Sequence, residues 1–361
     1  MIEEKRSVGD AWYAAPGDDD DVILSTRVRL ARNLANFPFP ESCDDDEAVR
    51  VQNIVFDAFN HFPNADAYQS VPLAVVEPLG AKILSERGLF ENNFGTGLVM
   101  RLDGISSCLI NCVDHARIAS FSPGLALNAA YSSSRDVDNQ LQERVQFAAS
   151  YDFGYLTANA LDSGSGMKVS VRAHLPSMSY AGKIPELIKT AEKKGFVVTA
   201  CYGSGRKAGF SLGAFYQISS AQSVSGNEID QLAALISFAK NICESERKFR
   251  LDYADNKVTA VRDSILRAFA AARFCVLMEL RESIEIVSNV KWGLDLGYVK
   301  GAKDFELSSL LYRAQSGHLG FLLKTGNFKF ENDVADNDEL KEQRLRAIII
   351  QDSFKNLSFE I

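Results

Sequence analysis

Histidine is scarce in this chain, with four in 361 residues, and its six cysteines are scattered. Cys43, Cys108, Cys112, Cys201, Cys243 and Cys275 make no C-x-x-C pair, so the spacing offers no zinc site and no other metal centre is expected. Thiols used in this way fit a reducing, cytoplasmic setting. No apolar run reaches membrane-spanning length, because charges interrupt every candidate, and no membrane partner is expected. Residues 1–17 mix acidic and basic side chains without an apolar stretch, so no secretory signal is expected there. Positive charge is not in excess either. The net charge is −8 and the pI is near 5.2. That balance argues against a nucleic-acid partner, and any anion-binding charge must be local. There is no internal repeat. The one biased run, Asp18 to Asp21, reads as a solvated, mobile part of an acidic lead-in over residues 1–21, with a metal site there as the weaker alternative.

Hydrophobic residues make up 46% of the chain, enough for a large core and too long a chain for one, which points to two domains. One stretch organises the rest: Leu24-Ser25-Thr26-Arg27-Val28-Arg29-Leu30-Ala31-Arg32-Asn33-Leu34. Val22, Leu24, Val28 and Leu30 fall at even spacings, so the segment reads as a strand with one buried and one cationic face. Arg27 and Arg29 then project side by side. Two guanidinium forks on one rigid edge suit a polyanion such as a nucleotide's phosphates. The other reading of the same spacing is a basic edge strand held by surface ion pairs.

Helical spacing predicts helices over residues 44–62, 80–90, 125–147, 184–194, 229–252, 258–274, 278–287, 305–314 and 340–354. Residues 71–77, 97–102, 106–113, 117–121, 154–159, 167–175, 196–202 and 214–220 read as strands, with Asp103-Gly104 as a hairpin turn. Residues 317–337 read as an irregular connection. An α+β region therefore precedes an all-helical one.

Several motifs resemble those of the ATP:guanidino phosphotransferases. Ser25-Thr26-Arg27-Val28-Arg29-Leu30-Ala31-Arg32-Asn33 with Pro38-Phe39-Pro40 is similar to that family's opening signature. Asn111-Cys112-Val113-Asp114-His115-Ala116-Arg117-Ile118 resembles its Asn-Glu-Glu-Asp-His-x-Arg-Ile segment. Gly154-Tyr155-Leu156-Thr157, then Gly164-Ser165-Gly166-Met167-Lys168-Val169-Ser170-Val171 and His174-Leu175-Pro176, resemble its glycine-rich block. In the tail, residues 289–301 are similar to a segment of the bacterial protein arginine kinases of the McsB type. The resemblance implies an antiparallel sheet flanked by helices, as a catalytic domain over residues 22–254. An all-α dimerisation and regulatory domain over residues 255–361 would follow.

The resemblance also implies chemistry. Phosphoryl transfer is mainly positioning and charge neutralisation. The family clamps ATP phosphates with arginines, bridges them with magnesium and holds the acceptor guanidinium with carboxylates. The clamp positions fall on Arg27, Arg29, Arg117, Lys168 and Tyr202, within a phosphate-binding set that includes Ser25, Thr26 and Val28. Lys168 keeps the charge without the fork, Tyr202 loses it, and Arg206 in the same loop is a candidate replacement. The family's glutamates align with Cys112, Val113 and Lys207, and its substrate-side cysteine with Asn159. A valine cannot accept a proton, and a lysine repels a guanidinium by about 4 kcal/mol at about 4 Å and an effective dielectric near 20. Asp114 and Asp162 are the remaining candidate carboxylates. Asp114 and His115 also suit a loop-holding role. Gly88 stands where some members carry a nucleotide-contacting histidine. The family's phosphoarginine-reading Arg-Asp-x-x-Arg-Ala becomes Glu342-Gln343-Arg344-Leu345-Arg346-Ala347.

The expected function is thus a protein-arginine-kinase-like homologue that binds nucleotide with reduced or lost transfer, a pseudokinase regulator or scaffold. The alternative is an active divergent kinase acting on arginine side chains. Partners implied by the resemblance are ATP, a protein client, a zinc-binding activator protein, protease and chaperone machinery, and a second copy in a homodimer.

Overall fold

The computed structural model describes residues 12–90, 95–203, 211–223 and 227–360. The strands are β1 (Ile23–Arg32), β2 (Tyr68–Pro72), β3 (Gly97–Arg101), β4 (Ser106–Ile110), β5 (Ala116–Pro123), β6 (Ala149–Ser150) and β7 (Gly154–Tyr155). They continue with β8 (Met167–His174), β9 (Phe196–Ala200), β10 (Phe215–Ser220), β11 (Val299–Lys300) and β12 (Ser358–Phe359). The helices are α1 (Asp45–Asn60), α2 (Pro78–Glu86), α3 (Leu127–Gln142), α4 (Pro176–Tyr180), α5 (Ile184–Lys193) and α6 (Glu228–Asp255). After these come α7 (Thr259–Phe274), α8 (Leu280–Asp295), α9 (Asp304–Arg313), α10 (Ser316–Thr325), α11 (Asn332–Ala335) and α12 (Asp338–Phe354). Eight strands form one sheet in the order β2-β3-β4-β5-β1-β8-β10-β9. The pairs β2–β3, β3–β4, β4–β5 and β5–β1 are antiparallel.

The chain divides into two compact units. The first holds Ser25–Val171 and Ser219–Ala239 with the chain up to Asp18; the second holds Asp19–Leu24, Arg172–Ile218 and Lys240–Ile361. In the first unit, β3 and β4 turn through Gly104 at φ +72, and the Asp103 carboxylate accepts from the Ile105 N–H. Asp44 and Glu47 cap α1 reciprocally, which satisfies two of its open N–H groups. Helix α3 buries Leu127, Ala130, Val137 and Leu141, and its Ser134 hydroxyl donates to the Val28 carbonyl of β1. Val28 and Leu30 lie fully buried beneath it.

The core of the second unit is formed by Val261 and Ile265 of α7, Val287, Val290 and Trp292 of α8, and Ile350 and Phe354 of α12. Ahead of it, the acidic run differs from its solvated reading. Asp21 takes Arg247 and Arg250, and Asp19 takes Lys240 and Arg247. Burial pushes both carboxyls up; Lys240 and Arg247 at Asp19, and Arg247 and Arg250 at Asp21, outweigh it and hold them below the usual carboxylate range. Three local readings also shift. The strand expected over residues 154–159 shrinks to β7, because it pairs with the two-residue β6 and a single bridge to Gly164, and Thr157 bonds back to Asn159 and Ser163. The strand expected over residues 71–77 ends at Pro72, where the chain turns. The irregular stretch at 317–337 contains α10 and α11.

Candidate functional site

Strand alternation sorts the arginines of β1. Val28, Leu30 and Arg32 are buried, and Arg27, Arg29 and Ala31 face the other way, half-buried. Residues directly opposite in an antiparallel ladder share a face. Arg27 pairs with Phe121, Arg29 with Ala119 and Ala31 with Arg117, so Arg117 joins Arg27 and Arg29 on that face. The Ala31 N–H donates to the Gly166 carbonyl at 2.8 Å. Lys168, two residues further along β8, therefore falls in step with Arg29. Ala31 and Ala119 keep the surface between the cations low. The Arg27 guanidinium lies 6.0 Å from the Phe121 ring centre, and Trp12 stacks on the same ring at 5.0 Å.

The neighbouring signature residues build the strand rather than the charge. Ser25 is buried, and Thr26 donates to the Gly124 carbonyl at 2.7 Å and accepts from the Ala126 N–H. Arg32 is fully buried and held by both oxygens of Asp138, at 2.8 and 3.0 Å. It also donates to the Ser165 carbonyl and lies 3.6 Å from the Tyr155 ring centre, which pins the turn into β8.

The carboxylates are placed differently from one another. Asp114 is buried, and its Oδ1 accepts from Asn33 Nδ2 at 2.6 Å and from the Ala158 N–H at 2.8 Å. The Asn33 side chain accepts in turn from the His115 N–H, and His115 Nδ1 accepts from the Leu34 N–H. That bond leaves the proton of the neutral ring on Nε2, 3.6 Å from Cys43 Sγ. Burial holds the His115 pKa down, and its neighbours Pro38 and Asp114 only partly offset this. Asn33, Asp114 and His115 thus lock two loops together. Val113, at the tip of its loop, is 52% exposed. Asp162 sits on the cationic face: its Oδ2 is 2.8 Å from Lys168 Nζ and accepts from Asn159 Nδ2 at 3.2 Å.

Other expected positions fall elsewhere. Tyr202, in the second unit, packs edge-on to Phe215 at 5.7 Å and against the helical core, and burial raises its pKa. Arg206 and Lys207 lie outside the described residues. Gly88 ends α2 at φ +73. Glu342 accepts from Ser316 and pairs with Arg346, whose remaining donors reach the Ala314 and Met278 carbonyls. The retained arginine of that motif is therefore filled from within the chain. Among the described residues, no three His, Cys, Asp or Glu side chains are grouped to hold a metal ion, and no helix is long and apolar enough to cross a membrane. Arg172 follows Lys168 on β8 at the same alternation and is half-buried.

Arginines and a lysine in adjacent strands lie on the face away from the helix-covered core, a cationic surface whose chemistry suits phosphate groups. Known proteins resemble the chain over most of its length. Residues 50–249 match the ATP:guanido phosphotransferase C-terminal catalytic domain, and residues 258–360 match the protein-arginine kinase McsB C-terminal domain. A protein-arginine kinase of Geobacillus sp. (strain WCH70) is 30% identical over 317 residues, 86% of each chain. One from Halothermothrix orenii is 31% identical over 315 residues, 85% of this chain and 88% of its own. Among solved structures, the duplicated taurocyamine kinase of Schistosoma mansoni shares the fold with a TM-score of 0.57 at 22% identity; the match covers 67% of this chain and 36% of that one. A lombricine kinase matches with a TM-score of 0.55 at 20% identity, covering 65% of this chain and 68% of its own. The chain belongs to the ATP:guanido phosphotransferase family. Its likeness to the protein-arginine kinases extends through the helical C-terminal region.

Proposed function

We propose that this protein binds a nucleoside triphosphate on the Arg27–Arg29–Arg117 face and has reduced or lost phosphoryl transfer, acting as a regulator or scaffold. The observation that carries the reading is Val113. The loop that should offer a carboxylate to an acceptor guanidinium offers an exposed isopropyl group instead. Asp114 beside it is committed to two loop hydrogen bonds. The family uses ATP with a divalent metal, and a metal here would arrive on the phosphates. Titration calorimetry with magnesium-ATP should show binding that weakens about tenfold or more in Arg27→Ala, a lost charge-assisted contact. The same protein should form little or no phosphoarginine on a protein substrate. Turnover comparable to an active protein-arginine kinase would end the proposal.

One observation favours a second reading, an active divergent protein arginine kinase. Asp162 is a carboxylate on the cationic face, where it can align or deprotonate a guanidinium once it leaves Lys168. Phosphoarginine formation abolished by Asp162→Asn would establish that reading. The homodimer through residues 255–361, a zinc-binding activator, protease and chaperone partners and a cytoplasmic location belong to the proposal with it.

A further inference from the structure

One groove of the first unit shares no residue with the cationic face. It has a volume of about 980 Å³ and opens between the end of α3, the β6–β7 hairpin and the start of α6. Val145 and Phe147, both buried, and Tyr155 give it an apolar wall. That wall is rigidly held. The Tyr155 ring centre lies 3.6 Å from the Arg32 guanidinium, its hydroxyl donates to Gln142 Oε1 at 3.0 Å, and Phe147 stands edge-on to it at 6.4 Å. Ile229, in the first turn of α6, lines the groove and is 63% exposed. Tyr151-Asp152-Phe153 forms the turn between the paired Ser150 and Gly154, and Gly154 lines the groove as well. Tyr151 is fully exposed and Phe153 is 68% exposed. Single apolar side chains on a surface are ordinary, whereas three around one groove mark a surface that another molecule covers.

Shape and charge choose that molecule. Gln142, Gln146, Ala149 and Gly154 in the lining are exposed, so the groove is an open trough and not an enclosed pocket for a small ligand. Its charge is unsuited to an anion. Glu228 lines it, and Glu143, Asp152 and Asp230 are exposed on the segments that form it. Arg144 is exposed on the same segments, and Arg135, 3.8 Å from Glu228, is shared with Asp138 at 3.1 Å. The N-terminus of α6 is closed as well, because the Asn227 side chain accepts from the Asp230 N–H at 2.9 Å. A second copy would bring the same acidic rim, in a chain of net charge −8, and would be repelled. A basic segment with apolar side chains complements both the wall and the rim.

We propose that this groove docks a basic peptide segment of a partner protein, with its apolar side chains on Phe147, Tyr155 and Ile229 and its cations along the acidic rim. The site does not depend on the nucleotide reading of the β1–β5 face. The test is fluorescence anisotropy of the full chain with labelled peptides of about seven residues, about 23 Å when extended. The first probe alternates lysine and leucine around a central phenylalanine. A second carries glutamate in place of lysine, and a third carries serine in place of leucine and phenylalanine. The first should bind saturably, and the other two at least about tenfold more weakly. Phe153→Ser combined with Ile229→Ser, both exposed positions, should weaken the first probe about tenfold or more at an unchanged urea midpoint, the loss of two apolar contacts. Glu143→Lys combined with Asp152→Lys should weaken it about three- to tenfold and flatten its dependence on salt. A wild type that does not bind the first probe, or binds the serine probe equally well, would overturn the proposal. So would wild-type affinity in either double variant. A wild type that self-associates in sedimentation velocity and becomes monomeric with Phe153→Ser and Ile229→Ser would overturn it too, since the groove would then belong to a second copy.

Discussion

Replacing Asp138 with alanine is expected to destabilise the first unit by about 3–5 kcal/mol, the range for breaking a buried ion pair by removing one partner. The magnitude follows from the surroundings of Arg32. Both side chains are fully buried, and the guanidinium meets both carboxylate oxygens. Without Asp138 it keeps two backbone carbonyls and the Tyr155 ring. A desolvated cation–ring contact returns about 2 kcal/mol at best, so the loss should fall towards the lower end. Adding Arg32→Met to Asp138→Ala removes the unpaired charge and should restore part of the stability. The assay is urea unfolding followed by fluorescence. The chain has two tryptophans: Trp12 lies in the first unit and Trp292 in the second. In a Trp292→Phe background Trp12 reports its own unit alone. A loss below about 1 kcal/mol, or a double variant less stable than Asp138→Ala, would refute the reasoning.

Two other outcomes are expected. Burial, with Lys291 and Arg250 only partly opposing it, pushes the Asp295 carboxyl up to about 8 from an ordinary 3.8. Its proton is bound in the folded state and not in the unfolded state between those values, so the stability of the second unit should fall as pH rises through that window, by up to about 1.4 kcal/mol per pH unit; Asp295→Asn should flatten the slope in urea midpoints taken from pH 5 to 8, against the opposite trend of the buried neutral His174. Gly166 has φ +61, and a Cβ there would stand 2.6 Å from the Ala31 carbonyl oxygen, whereas Gly182 at φ +67 has open space around it. Gly166→Ala should therefore lower the thermal midpoint clearly more than Gly182→Ala, the shared φ penalty being about 1–2 kcal/mol.

The sequence made the cationic strand legible because alternation is a local property. Val28 and Leu30 against Arg27 and Arg29 need no knowledge of the partner strand. Arg32 shows the limit: it sits in the same basic run, and only its parity and the distant Asp138 turn it inward. The acidic run at Asp19 and Asp21 was misread for the same reason, since its cations come from Lys240, Arg247 and Arg250, more than two hundred residues on. Short pairing explains β7, where a strand-like composition found two residues to pair with. Asp162 could be named as a carboxylate from the sequence, but its contact with Lys168 depends on the turn through Gly164 and Gly166.

The pairing of Asp19 and Asp21 with α6 has a consequence for synthesis. These residues precede their partners by more than two hundred positions, so they leave the ribosome well before them. The second unit therefore cannot close until late, and during elongation its earliest segment waits without its cations. A protein cut before residue 258 would keep Asp19, Asp21 and α6 together but lose Lys291 and Asp295, which reach the Asp21 carbonyl and Arg250. Neither piece would be an independent domain in the usual sense, although the change from mixed to helical texture invites a cut at that point.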